Sequence, residues 1–114
     1  MITVEKLKEY GANTEEGLSR CLNNEAFYLR MVKMGLNDKH FDQLQEAVAS
    51  GNAKEAFEAA HALKGVMGNL SLTPVYDPVC ALTEALRGKE EIGDVSGLVQ
   101  QVIDQLERGR ALDA

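Results

Sequence analysis

The chain of 114 residues is long enough for one hydrophobic core and too short for two, so a single domain spanning residues 1–114 is expected. Its formal net charge of −6 argues against nucleic-acid binding, which depends largely on neutralising phosphates. Tryptophan is absent and only 5% of residues are aromatic, so Leu, Val, Ala and Met must fill the core, which favours packed helices over a sheet sandwich.

Two short helices are predicted in residues 1–22, where they would close one end of a bundle. Each is bounded by residues that commonly cap helices, and the second has the spacing of a capping box. For the first helix the predicted caps are Thr3 and Gly11. The second helix is predicted to begin at a cap on Asn13 or Thr14, with Glu16 as the capping-box partner of Asn13.

The segment from Glu25 to Ser50 is predicted to form one long helix, N-capped by Asn24 and bent near Gly35. Gly35 and the pair Asn37-Asp38 would also permit a break into two helices. However, apolar residues recur every seven positions straight through this point. They are Phe27, Met34, Phe41 and Val48. A new helix would be free to restart its register, so the unbroken register favours a single helix.

An amphipathic helix is predicted from Asn52 to Leu70, after Gly51 has ended the previous one. At about 100° per residue, six apolar residues fall within one arc. They are Ala56, Ala59, Leu63, Val66, Met67 and Leu70. A second arc, outside this stripe, collects Lys54, His61, Lys64, Gly65 and Gly68, with Phe57 near its edge. The histidine is therefore expected to be exposed.

The two glycines on this exposed arc need an explanation, because glycine inside a helix costs about 0.5–1 kcal/mol relative to alanine. A partner that must approach His61 closely would supply one. Ordinary explanations also exist for each residue alone. A lone histidine is usually a surface or satisfied core residue, Lys64 could simply be solvated, and Gly68-Asn69 could form a helix C-cap. The combination on one face favours a functional site.

Two further helices are predicted in the remaining sequence. Thr73 offers a capping side chain and Pro74 suits the first turn, and the helix would end at Arg87-Gly88. Pro78 is awkward inside this helix: either Asp77 is the true N-cap or the helix is kinked. Asp94 would cap the last helix.

The predicted fold is therefore all-α. Four substantial helices joined by short loops indicate an up-down antiparallel four-helix bundle over about residues 24–108, with the short N-terminal helices at one end. Residues 109–114 are expected to fray.

The sequence contains neither a signal peptide at its start nor an apolar run of about 18 residues that could span a membrane. Cys21 and Cys80 have no metal-binding or redox spacing and are expected to be reduced and half-buried, with a disulfide as the alternative. A cytoplasmic monomer is predicted, and its start at Met1 favours a free-standing protein over one domain of a larger kinase.

The run from His61 to Gly65, preceded by Ala60 and followed by Asn69-Leu70, resembles the signature of histidine-containing phosphotransfer (HPt) domains. The resemblance covers about residues 14–108. It implies a helical bundle with an exposed histidine that carries a phosphoryl group to or from receiver-domain aspartates. The implied partners are a response-regulator receiver domain, a hybrid histidine kinase, or both.

The resemblance implies His61 as the phosphoacceptor, with Nε2 as the attacking nitrogen and Lys64 supporting the added charge. Lys54, Phe57, Gly65 and Gly68 would form the docking surface. No cofactor is expected in this chain, since a divalent metal, expected to be magnesium, would be held by the receiver. Two departures stand out. Val66-Met67 replaces small residues, and Ser71 occupies a position where glycine often follows the leucine.

Two other classes of function compete with this interpretation. A helical adaptor could dock on a receiver or kinase through the same surface without accepting phosphate. An enzyme is disfavoured because no glycine-rich phosphate loop follows a strand. A di-metal bundle would need two Glu-x-x-His pairs, and only Glu58 with His61 has that spacing, because His40 lacks the glutamate.

Overall fold

The computed structural model describes residues 1–114 and contains α-helices without any β-strand, as the sequence predicts. The seven helices are α1 (Val4–Tyr10), α2 (Thr14–Arg20), α3 (Glu25–Leu36), α4 (His40–Ser50), α5 (Ala53–Asn69), α6 (Thr73–Leu86) and α7 (Ser96–Ala111).

Helices α4 to α7 form an up-down antiparallel bundle, which confirms the predicted fold class. The principal helix contacts are between chain neighbours, with α4 against α5, α5 against α6 and α6 against α7. Asparagine side chains begin several helices, as expected from their capping geometry. The side chains of Thr3, Asn13, Asn24 and Asn52 each accept a hydrogen bond from a backbone N–H of the first turn.

The predicted long helix from Glu25 to Ser50 is wrong, because the chain leaves the helix between Leu36 and His40. Here two side chains compete with the helical hydrogen bonds. Asn37 Nδ2 donates to the carbonyl of Lys33 at 2.9 Å, and Asp38 Oδ1 accepts from the N–H of His40 at 2.8 Å.

The seven-residue repeat misled because it does not follow one buried face. Phe27 and Met34 are 42% and 61% exposed, whereas Phe41 is only 1% exposed. The buried residues of α3 are instead Tyr28, Val32, Gly35 and Leu36.

Small buried residues let the neighbouring helices approach α5 closely. Its buried positions are Ala53, Ala56, Ala59, Ala60, Leu63 and Met67. The predicted apolar arc is thus largely correct, with Leu70 buried just after the helix and Val66 half-buried. The opposite side of α5 faces outward.

The turn between α5 and α6 is held by donors from the N-terminal part of the chain. The N–H of Asn13 donates to the Ser71 carbonyl at 2.9 Å, and the Tyr28 hydroxyl donates to the Leu70 carbonyl at 2.9 Å. The Arg20 guanidinium donates to the Gly68 carbonyl. Ser71 itself has a φ of +57°, and its buried Oγ has no hydrogen-bond partner.

Helix α6 begins at Thr73 and continues through Pro78, so the assignment of Asp77 as its N-cap is wrong. The expected cap from Thr73 is also wrong: Leu72 is the N-cap residue and no side chain caps the helix. Pro74 in the first turn starts the helix, because its fixed φ suits a helix and its missing N–H costs nothing there.

The last helix starts at Ser96, two residues after the predicted cap. Asp94 still serves this end, since its Oδ1 accepts from the N–H and the hydroxyl of Ser96. The resulting hydrogen bonds lower the pKa of Asp94.

The predicted fraying of residues 109–114 is wrong as well. Helix α7 runs to Ala111, and Asp113 accepts from the N–H of Ile2 at 3.1 Å and pairs with Lys33 at 3.3 Å. The amino group of Met1 donates to the carbonyl of Ala114. The chain end is therefore fixed against the N-terminal residues.

Cys21 is buried and Cys80 half-buried, and both are free thiols. None of the seven helices combines the length and the apolar character needed to span a membrane.

Candidate functional site

His61 lies midway along α5 with its side chain exposed. The neighbouring Ala59, Ala60 and Leu63 are buried, so the helical period turns the histidine away from the core. The position expected from the sequence is the one observed.

The imidazole of His61 stacks on the ring of Phe57, one helical turn earlier. The ring centroids are 5.7 Å apart and the planes differ by 11°. This spacing is typical of an offset aromatic stack. Phe57 is half-buried and also packs against the edge of the core.

The guanidinium of Arg87, at the end of α6, lies over the Phe57 ring with its carbon 5.2 Å from the centroid. That distance is within the range of a cation–π contact. Glu84 holds the same guanidinium through Nε and NH2, at distances of 3.0 to 3.3 Å. The hydrogen bond from Arg87 lowers the pKa of Glu84, and the charge of Lys64 adds to the effect.

The two glycines of the predicted docking surface have different surroundings. At Gly65 an added Cβ would have no atom within 4 Å, so this part of α5 presents bare main chain. At Gly68 an added Cβ would lie 3.0 Å from Cε1 of Tyr76 on α6. Clearance for a partner therefore remains an explanation for Gly65. At Gly68 the missing side chain instead makes room for Tyr76 of the same chain.

An open groove of about 590 Å³ runs beside His61 between α2, α5 and the start of α6. Most of its lining residues are polar or charged, and Tyr76 is the aromatic residue among them. The lining residues are Glu16, Arg20, His61, Lys64, Gly65, Gly68, Asn69, Ser71, Thr73, Tyr76 and Asp77.

Some of the charged side chains in this groove form ion pairs with one another. Arg20 pairs with Glu16 and also donates to the carbonyl of Gly68. Lys64, by contrast, forms no salt bridge, and it lines the groove together with His61. Lys64 is thus a cation beside the imidazole that forms no salt bridge within the protein.

The structure brings His61, Lys64, Gly65 and Gly68 to one groove, with Phe57 stacked at its side. Lys54 is exposed on α5 but does not line this groove, since it lies two turns before His61. The chain contains no group of three or more His, Cys, Asp or Glu residues placed to hold a metal ion.

Sequence reasoning did not include three residues that surround the site: Arg20, Tyr76 and Arg87. The spacing of Glu16 and Arg20 indicates a helical ion pair, but nothing in it indicates contact with α5. The sequence pattern marks Arg87 only as a helix end, and its place over Phe57 depends on how α5 and α6 pack.

An antiparallel helical bundle with an exposed histidine midway along one helix is the arrangement that the resemblance to HPt domains implies. The family model for the Hpt domain matches residues 35–111, which is more than half of the chain. The protein belongs to this family, whose members act in phosphotransfer in two-component signalling and interact with receiver or histidine kinase domains. They are phosphocarriers rather than conventional enzymes.

No protein with a curated description matches the sequence. Among solved structures, the chain is similar to the crystal structure of the HPT domain from an Hpt sensor hybrid histidine kinase of Shewanella. The match has a TM-score of 0.75 and 17% identity, and it covers 91% of this chain and 92% of the other. At this identity the similarity shows the fold alone.

Proposed function

We propose that this protein is a phosphocarrier that accepts a phosphoryl group on His61 from a receiver-domain aspartyl phosphate and can return it. The observation that carries the proposal is the exposed imidazole midway along α5, in a chain of the Hpt family. The open main chain at Gly65, next to this imidazole, leaves room for a partner.

The chemistry requires a neutral, accessible nucleophile. An imidazole supplies one, because in its neutral form one ring nitrogen carries a lone pair and the other carries a proton. The lone pair of one ring nitrogen, Nε2 by family resemblance, attacks phosphorus while the other nitrogen keeps its proton. The N–P bond forms as the P–O bond to the aspartate breaks, and the carboxylate leaves with the electron pair. The reverse transfer follows the same path.

The remaining predicted site residues have supporting parts in this proposal. Lys64 faces the groove beside His61 and would attract the phosphoryl oxygens. Gly65 would allow close approach, while Lys54 and Gly68 would lie within the docking surface. The receiver would supply the acceptor aspartate, the divalent metal and the in-line geometry. A cytoplasmic location as a monomer completes the proposal.

The decisive test uses receiver proteins carrying labelled aspartyl phosphate. The wild-type chain should take up label, and His61→Gln should take up none. The matched control is His40→Gln, which removes the other histidine of the chain and should leave transfer unchanged. The label should be lost in acid and retained in alkali, as for a phosphohistidine.

Stable label on the His61→Gln protein would refute the assignment. A wild-type chain that binds a receiver without taking label would instead identify the helical adaptor considered above. Lys64→Ala should slow transfer by no more than about fivefold, because an exposed charge contributes about 0.2–1 kcal/mol. Lys54→Ala, which removes an equal charge outside the groove, should have a smaller effect.

A further inference from the structure

We propose that Phe57 is a positioning residue for His61, held from α6 by Arg87, and that this stack fixes the orientation in which the imidazole meets the phosphoryl group. The proposal rests on the phosphocarrier function and adds to it a means of orienting the nucleophile. It also replaces the partner-docking role expected for Phe57 from the sequence, and it adds to the packing of Phe57 against the edge of the core.

The geometry restricts the imidazole from one side. An exposed histidine on a helix would ordinarily exchange between rotamers, since little of its ring is in contact with protein. Here the ring lies nearly parallel to Phe57, with planes 11° apart and centroids separated by 5.7 Å. Rotation about χ1 would break this contact, and so would any rotation about χ2 other than a flip of about 180°, which keeps the ring in the same plane. The stack therefore favours one χ1 rotamer and one ring plane before any partner arrives.

Arg87 and Glu84 keep Phe57 in place from the neighbouring helix. The guanidinium carbon of Arg87 lies 5.2 Å from the Phe57 centroid, and its Nε and NH2 atoms both reach the Glu84 carboxylate. A planar guanidinium can satisfy a carboxylate at its edge and an aromatic ring at its face simultaneously. The orientation of Phe57 on α5 is thus tied to the end of α6.

The expected size of the effect follows from counting orientations. About two χ1 rotamers are accessible to most side chains in a helix, and the χ2 angle of histidine is broadly twofold. An unrestrained imidazole is therefore distributed over about four orientations. The stack keeps the two orientations that share its plane, and one of these is competent for transfer, so losing the stack should slow the transfer step by about twofold.

The test measures single-turnover transfer from a labelled receiver at increasing receiver concentration. Phe57→Leu keeps an apolar side chain but removes the flat ring. It should lower the maximal rate constant by about twofold while the half-saturating receiver concentration stays unchanged. Phe57→Tyr restores a ring and should restore the rate. Denaturant unfolding of both variants shows that any slowing does not come from loss of the fold.

Arg87→Met provides a second variant, because it removes the guanidinium and retains much of the chain length. We expect it to slow the maximal rate by up to about twofold, since Phe57 is then less restrained. The matched control is Lys89→Met, which removes a nearby exposed cation that makes no aromatic contact. This control should transfer like the wild type.

NMR of the free protein detects the stack of His61 on Phe57 in the absence of any partner. The ring protons of His61 should show an aromatic ring-current shift that is lost in Phe57→Leu and retained in Phe57→Tyr. If Phe57→Leu keeps the wild-type maximal rate, or raises only the half-saturating concentration, the positioning role is refuted. If the wild-type chain takes no label at all, the phosphocarrier function fails and the positioning role fails with it, even where NMR detects the stack.

Discussion

The ring of Tyr76 on α6 lies so close to Gly68 on α5 that a Cβ at Gly68 would stand 3.0 Å from Tyr76 Cε1. Gly65, one turn nearer His61, has no such neighbour. The two glycines of the site therefore respond to different constraints, and alanine substitutions should separate them.

Gly65→Ala should stabilise the fold by about 0.5–1 kcal/mol, because alanine is the better helix former and its methyl group meets nothing. Gly68→Ala should gain less, since Tyr76 must move by a few tenths of an ångström. Urea unfolding of both variants measures the difference. Equal stabilisation at the two positions would show that Tyr76 does not constrain Gly68.

Glutamine substitutions at Gly65 and Gly68 should also differ in their effects on phosphoryl transfer. Gly65→Gln should slow transfer from a receiver with little change in stability, because its side chain projects into open space next to His61. Gly68→Gln also disturbs Tyr76, so any slowing of its transfer has to be compared with its loss of stability in urea unfolding. Full activity in folded Gly65→Gln protein would remove the clearance explanation for that glycine.

Ser71 combines a left-handed backbone with a buried hydroxyl that has no partner. Ser71→Gly should stabilise the fold by about 1–2 kcal/mol, because glycine adopts a positive φ without strain. Ser71→Ala removes the hydroxyl but keeps the strain, so it isolates the contribution of the unpartnered oxygen. Thermal unfolding of the two variants measures both contributions. A Ser71→Gly protein no more stable than the wild type would show that neither feature costs stability.

Tyr28 joins α3 to the end of α5 through its buried hydrogen bond to the Leu70 carbonyl. Tyr28→Phe keeps the ring packed and removes only the donor. We expect it to destabilise the fold at neutral pH by about 1–3 kcal/mol, because a buried carbonyl loses its partner. Urea unfolding with an unchanged slope would attribute the loss to the native state. An unchanged midpoint would indicate that another donor reaches Leu70.

Tyr28→Phe should also change the way the free energy of unfolding depends on pH in the alkaline range. Burial raises the pKa of Tyr28 from 10.0 to about 12, so the folded state holds its proton more tightly than the unfolded state. The stabilisation from Tyr28 is complete below pH 10 and is lost as the pH rises toward 12. The stability difference between wild type and Tyr28→Phe should therefore shrink over this range. Tyr10, whose pKa burial also raises, contributes equally to both proteins.

Local sequence signals predicted the helix starts well where a side chain could cap its own helix. Asn13, Asn24 and Asn52 are examples, because each interaction spans only three residues. The exposed position of His61 followed from helical periodicity for the same reason. These features depend on the chain within one or two turns.

The errors occurred where distant parts of the chain decide the outcome. Phe41 and Met34 belong to one sequence repeat, but packing buries the first and exposes the second. The C-terminal residues are fixed by contacts with Ile2 and Lys33, which no local pattern reveals. The place of Arg87 over Phe57 likewise depends on the pairing of α5 and α6.

The three bonds that hold the turn after α5 come from residues outside the matched family stretch of 35–111. Asn13, Arg20 and Tyr28 supply the donors to the carbonyls of residues 68–71. A protein trimmed to the matched stretch would leave these acceptors to water, and the last turn of α5 would unwind more readily. The N-terminal third of the chain thus serves as an external C-terminal cap for the helix that carries His61.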